Sequence, residues 1–223
     1  MLKRTMHFLM ASAVLSFAQL APVHADDTVK ETQGINDTMK PYEANYVITR
    51  GDSEYGEGYR YLEVSPDDEW QLRTKSDISW FILSDTREAR SVFIVDDESK
   101  RLEPREFIYM RTGTGSDKSF HGEFRADDKT VRNVDTGRML DINWKDALFD
   151  EADEYRFRVM ADSELLKLPY GKVEAIKVGR IRDNNRRQTF FWFAPELNYV
   201  MVKMQQFKEG DEQATMSLKS LEM

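Results

Sequence analysis

From Tyr42 onward the sequence alternates with a period of two. Tyr42, Ala44, Tyr46 and Ile48 fall on one face, with Glu43, Asn45, Val47 and Thr49 on the other. That spacing is the side-chain geometry of a half-buried β-strand. The rhythm returns in Tyr55–Val64, Trp70–Ser79, Ala89–Val95, Arg105–Thr112, Lys118–Arg125 and Thr130–Val134. It resumes in Tyr155–Met160, Val173–Arg182, Gln188–Ala194, Tyr199–Phe207 and Ala214–Leu221. Turn chemistry stands between the strands: Arg50-Gly51-Asp52-Ser53, Ser65-Pro66-Asp67-Asp68, Asp96-Asp97-Glu98-Ser99, Thr112-Gly113-Thr114-Gly115, Asp127-Asp128-Lys129, and the Asp183-Asn184-Asn185 centre of the basic stretch Arg182–Arg187. Such connections close hairpins and are too short for parallel crossovers. The expected fold is all-β, a curved antiparallel meander of about eleven or twelve strands shaped as a barrel, half-barrel or two-layer sandwich. One stretch breaks the rhythm. Over Ile142–Tyr155, Asn143 is placed to cap a short helix, with Asp146 three residues on and Trp144, Ala147 and Leu148 on one side.

The ends divide differently. Lys3 and Arg4, the apolar stretch Met6–Leu20, and the small residues Val23 and Ala25 flanking His24 form the three parts of a signal peptide, giving residues 1–25 to export. The apolar stretch is short of the roughly 20 residues that span a hydrocarbon core, so no transmembrane segment is expected after cleavage. Residues 26–40 are polar and without periodicity, a flexible leader, and residues 41–223 form a single β-rich domain. The chain has no cysteine, which excludes disulfides, thiolate metal sites and a lipid tether through cysteine. A periplasmic location follows. Loss of Lys3 and Arg4 deepens the net charge from −8 to about −10, so nucleic acid is not an expected partner.

Aromatic residues are concentrated where alternation fails. Phe190-Phe191-Trp192-Phe193 and Tyr199-Val200-Met201-Val202 flank Ala194–Asn198, and Trp80-Phe81-Ile82-Leu83 and Phe107-Ile108-Tyr109-Met110 are similar runs. Consecutive large apolar residues on a strand bury or expose both faces. One face is the core; the other requires a second layer, a helix, a partner or a ligand. Trp80, Phe81, Phe191, Trp192 and Phe193 are therefore the candidate ligand-binding residues, for an apolar, lipid-like ligand or an envelope protein.

Catalytic groupings are sparse. His121 is the only histidine beyond the signal, which excludes a multi-histidine metal site. Asp117, Ser119 and His121 would share one strand face, but no strained Gly-x-Ser-x-Gly turn presents the serine. The acid pairs Asp67-Asp68, Asp96-Asp97, Asp127-Asp128 and Asp150-Glu151 fall mainly in turns, where two solvated carboxylates lack the raised pKa that glycosidic chemistry needs. No calcium-loop spacing occurs, and Gly113-Thr114-Gly115 precedes a strand instead of a helix N-terminus. No cofactor, metal or catalytic residue is expected.

Three ordered blocks carry a resemblance. Pro41-Tyr42-Glu43-Ala44-Asn45-Tyr46 followed by Gly56-Glu57-Gly58, then Leu102–Tyr109, then Leu168–Val178 with Phe191–Val202 resemble the exported bacterial family catalogued as domain of unknown function 3108. The resemblance spans Tyr42–Met223 and implies an exported β-rich protein without an assigned activity. Leu168, Tyr170 and Asn198 depart from that family's pattern, Asn198 standing where it has glycine; asparagine tolerates the left-handed backbone such a turn needs. The expected function is a non-enzymatic periplasmic binder of an apolar ligand or envelope partner. The alternatives are an assembly factor acting through a sheet edge and a carboxylate-dependent envelope hydrolase.

Overall fold

The computed structural model describes residues 39–96, 101–125, 130–141, 156–182 and 186–223. The strands are β1 (Tyr42–Arg50), β2 (Ser53–Val64), β3 (Trp70–Trp80), β4 (Leu83–Val95), β5 (Leu102–Gly113), β6 (Lys118–Arg125) and β7 (Thr130–Asn133). They continue with β8 (Met139–Asp141), β9 (Arg156–Leu168), β10 (Gly171–Ile181), β11 (Arg187–Ala194), β12 (Val200–Lys208) and β13 (Asp211–Glu222). All thirteen join one sheet in the order β8-β7-β6-β5-β4-β3-β2-β1-β13-β12-β11-β10-β9. Every pairing is antiparallel. The meander is therefore continuous on each side, and the first strand pairs with the last at its middle. Among the described residues the sheet is open, with β8 and β9 at its edges.

The expected signal peptide and almost all of the leader lie outside the described residues, as does the helix expected over Ile142–Tyr155. The helix that is described is a 3-10 turn, Pro195–Leu197, between β11 and β12. Asn198 ends it at φ 50 and ψ 42, the left-handed conformation that a glycine would otherwise supply. Met39 packs against Leu62, Trp70, Leu72 and Phe93, so the packed structure reaches back at least to that residue.

One face of the sheet is the core. Ala44, Tyr46 and Ile48 of β1 stand with Met216 and Leu218 of β13 and Met204 and Val202 of β12, all nearly inaccessible to solvent. Among the described residues no second sheet or long helix covers them, so the sheet buries this inner face by curling on itself. A backbone bond records the curl: the Tyr170 N–H, in the β9–β10 turn, donates to the Leu218 carbonyl of β13 at 3.1 Å. In a flat sheet β10 and β13 would lie about 14 Å apart, three strand spacings.

Candidate functional site

The five aromatic residues do not form one site. Phe191 points to the inner face, 5% exposed, and the half-buried Phe193 stacks on it at 6.3 Å between ring centroids. Trp192 takes the outer face, yet is only 2% exposed. Its cover is local. The Lys177 and Lys203 amines lie 4.9 and 4.7 Å from its ring, and its indole N–H donates to Glu164 Oε2 at 2.9 Å. Lysine stems cover apolar surface while their charges sit over the ring face. Phe190 joins the same outer seam, with Lys177 at 4.8 Å and Phe207 edge-on. Burial holds the Lys203 pKa below the ordinary lysine value, against the attraction of Glu164. The second face of β11 is thus covered at Trp192 by charged side chains of β9, β10 and β12.

The other two candidates stand at the β3–β4 turn, and four strands, β2, β1, β13 and β12, separate β3 from β11 in the sheet order. Trp80 pairs with Leu83, which leaves Phe81 and Ile82 as a two-residue loop. They are 96% and 88% exposed. Phe81 has φ 56, a conformation in which a bulky residue is a steric outlier. The Thr114 hydroxyl braces the loop by donating to the Ile82 carbonyl and accepting from the Ser84 N–H.

Sequence reading missed the most unusual part of the inner face. Across β2, β3, β4 and β5 the register aligns Gly58, Ser76, Arg87 and Arg111 in one row and Arg60, Thr74, Ala89 and Tyr109 in the next. Asp85 extends this patch toward the Phe81 loop, and Ser91 toward the opposite end. Arg60, Thr74, Ser76, Asp85, Arg87, Ser91 and Arg111 are all buried. Asp85 accepts from Arg87 Nη2 at 2.6 Å through Oδ2 and from Arg111 Nε at 2.7 Å through Oδ1. One carboxylate thus serves two guanidinium groups. Arg60 has no carboxylate: its Nη1 reaches the Met201 sulfur at 3.5 Å, and its Nε has no partner. Burial opposes its charge, but Tyr42 and Tyr46 outweigh that, so its pKa lies above the ordinary arginine value. The hydroxyls of Thr74, Ser76 and Ser91 are also buried without partners. This polar belt separates the main core from a smaller cluster of Leu62, Trp70, Leu72 and Phe93. The detectable signal was Asp85 and Arg87 in phase with Ala89 and Phe93 on a single strand.

His121 Nε2 lies 2.8 Å from Glu106 Oε1, and Glu106 Oε2 accepts from Arg90, on the outer face of β4, β5 and β6. Ser119 and Asp117 are exposed. Asp67 and Asp68 are solvated in the β2–β3 turn; Asp97, Asp127, Asp128, Asp150 and Glu151 lie outside the described residues. Among the described residues no cluster of three metal-ligating side chains occurs, and no helix is long and apolar enough to cross a membrane.

No family profile matches the chain, and no curated protein matches it. The resemblance to domain of unknown function 3108 therefore has no family match behind it. Similar solved structures include a β-barrel-like protein of domain of unknown function DUF1849 from Brucella abortus, 12% identical at a TM-score of 0.46, covering 82% of this chain and 97% of that one. Another is MucB, 12% identical at 0.37, covering 83% of this chain and 54% of that one. Nothing about the roles of those proteins passes to this chain at such scores.

Proposed function

We propose that this is an exported periplasmic protein, without enzymatic activity, that receives an apolar, lipid-like group of the cell envelope on the inner face of its curled sheet. The observation that carries the reading is the β3–β4 loop. Two large apolar side chains, Phe81 and Ile82, are held in solvent, one in a conformation that costs about 1–3 kcal/mol. Leu83, 44% exposed, widens the patch. Asp85 begins the buried belt of the inner face two residues further along β4, so the loop stands at that face's end. Exposed apolar groups beside a partly polar concavity suit transfer of a lipid-like molecule from an apolar phase. The ordered blocks that resemble domain of unknown function 3108 are consistent with an exported β-rich protein of this kind. The test is native mass spectrometry of protein purified gently from its own envelope, with lipid extraction. A stoichiometric lipid that is lost from Phe81→Ser/Ile82→Ser supports the reading; lipid-free protein that takes up none from envelope vesicles removes it.

One observation favours a second reading, assembly through a sheet edge. Among the described residues β9 is an edge strand of 13 residues, on which Val159, Met160 and Leu165 are 51%, 46% and 61% exposed. Long apolar edges invite strand addition. Crosslinking at Leu165 in intact cells that captures a specific envelope protein would favour it.

A further inference from the structure

Resting on the apolar-binder reading, we propose that the inner face also contains an anion subsite, in which Arg60 with Thr74 and Ser76 holds the charged oxygens of the ligand's head. The ligand class is then an anionic amphiphile with a carboxylate or phosphate head. Three buried arginines, Arg60, Arg87 and Arg111, face one buried aspartate on this belt. Asp85 is occupied by two of them. Arg60 is left with a thioether and a tyrosine hydroxyl, although a guanidinium offers five donors. A buried cation without a counter-ion is costly, and arginine binds carboxylate and phosphate oxygens through paired donors.

The hydroxyls point to the same occupant. Thr74 is directly opposite Arg60, Ser76 opposite Gly58 on the next row, and both are at least nine-tenths buried without a hydrogen-bond partner. Native interiors leave few such groups unsatisfied. Here a cationic donor and two hydroxyl donors adjoin on one face, and an oxyanion accepts from all three. Apolar surface flanks them on both sides: Ala44 pairs with Arg60 across β1 and β2, while Leu62 and Leu72 follow in the next row toward Trp70 and Phe93. A head held at Arg60 can therefore lay its chain along either cluster.

The experiment compares oleate, oleyl alcohol and inorganic phosphate as ligands of the delipidated, full-length exported protein by isothermal titration. Wild type is expected to bind oleate at least about tenfold more tightly than oleyl alcohol, and Arg60→Leu to lose that advantage while keeping its affinity for the alcohol. Thr74→Val, which keeps shape and charge, is expected to weaken oleate about threefold or more, and decides the matter should Arg60→Leu not fold. Arg60-dependent phosphate binding, with oleate no tighter than phosphate, supports the anion subsite and assigns it to a free anion. Equal binding of oleate and its alcohol, with no phosphate binding, overturns the subsite and leaves the apolar binder standing. Failure to bind any of the three overturns both.

Discussion

Phe81 and Tyr46 mark the two ways a single side chain bears on this molecule. Phe81 occupies a backbone conformation in which glycine would be unstrained, and its side chain is almost fully exposed. Phe81→Gly is expected to raise stability by roughly 1 kcal/mol, about 3 °C in Tm, while weakening association with lipid vesicles. A variant that gained neither stability nor lost association would show the loop to be indifferent. Tyr46 is its opposite. It is 1% exposed and donates its hydroxyl to the Met201 carbonyl at 2.7 Å. Burial raises its pKa far above the ordinary tyrosine value of 10.0. Its contribution is whole below pH 10.0 and is lost as pH rises from there toward the folded value, because the unfolded chain releases that proton first. Tyr46→Phe is expected to cost about 1–3 kcal/mol at neutral pH and to flatten the alkaline limb of a denaturation series.

At the scale of elements, β4 and β11 show where pattern and packing part company. β4 was expected from Ala89 and begins at Leu83, taking in the three charges of Asp85, Arg87 and Glu88. Two of those three charges are buried against each other, a pairing that depends on Arg111 of the neighbouring strand. Asp85→Ala is expected to destabilise by about 3–5 kcal/mol in urea denaturation, since it strands two buried cations. Replacing Asp85, Arg87 and Arg111 together with apolar residues is expected to recover most of that loss. β11 presents the converse. Its run Phe190–Phe193 marked a strand with large apolar residues on both faces, and the cover of Trp192 comes from Lys177, Lys203 and Glu164. Two lysines and a glutamate on three separate strands carry no sequence mark of a shared aromatic partner. Likewise β9 was expected to end at Met160 and extends to Leu168, where strand pairing with β10 overrides a weak local pattern.

At the scale of the whole molecule, the consequence of one sheet serving as its own cover is that the curl must be fastened. The Tyr170-to-Leu218 bond is such a fastening, joining the turn beyond β9 to the strand that pairs with β1. Although Tyr170 lies in a turn and its side chain is 40% exposed, its amide is expected to exchange with solvent as slowly as those of β13. Rapid exchange there, with β13 protected, would mean that the β9–β10 end opens independently. The belt of Arg60, Thr74, Ser76 and Asp85 belongs to this scale as well, because it divides the inner face into two apolar clusters.

Strand identity, hairpin connection and antiparallel meander follow from local physics, so the sequence alone determined them: a period of two selects the strand, and glycine, proline, asparagine and aspartate close the turns. The left-handed turn at Asn198 was legible through the family resemblance, in which asparagine stands at a glycine position and tolerates that backbone. Tertiary structure alone decided which charges are buried and which aromatics are exposed. A charged strand position is stable inside only when its partner arrives from another strand, as Arg111 reaches Asp85, and an aromatic is covered or bare according to what the curled sheet brings beside it. Register and curvature are properties of the assembled sheet, and they set Trp192 under two lysines while leaving Phe81 in solvent.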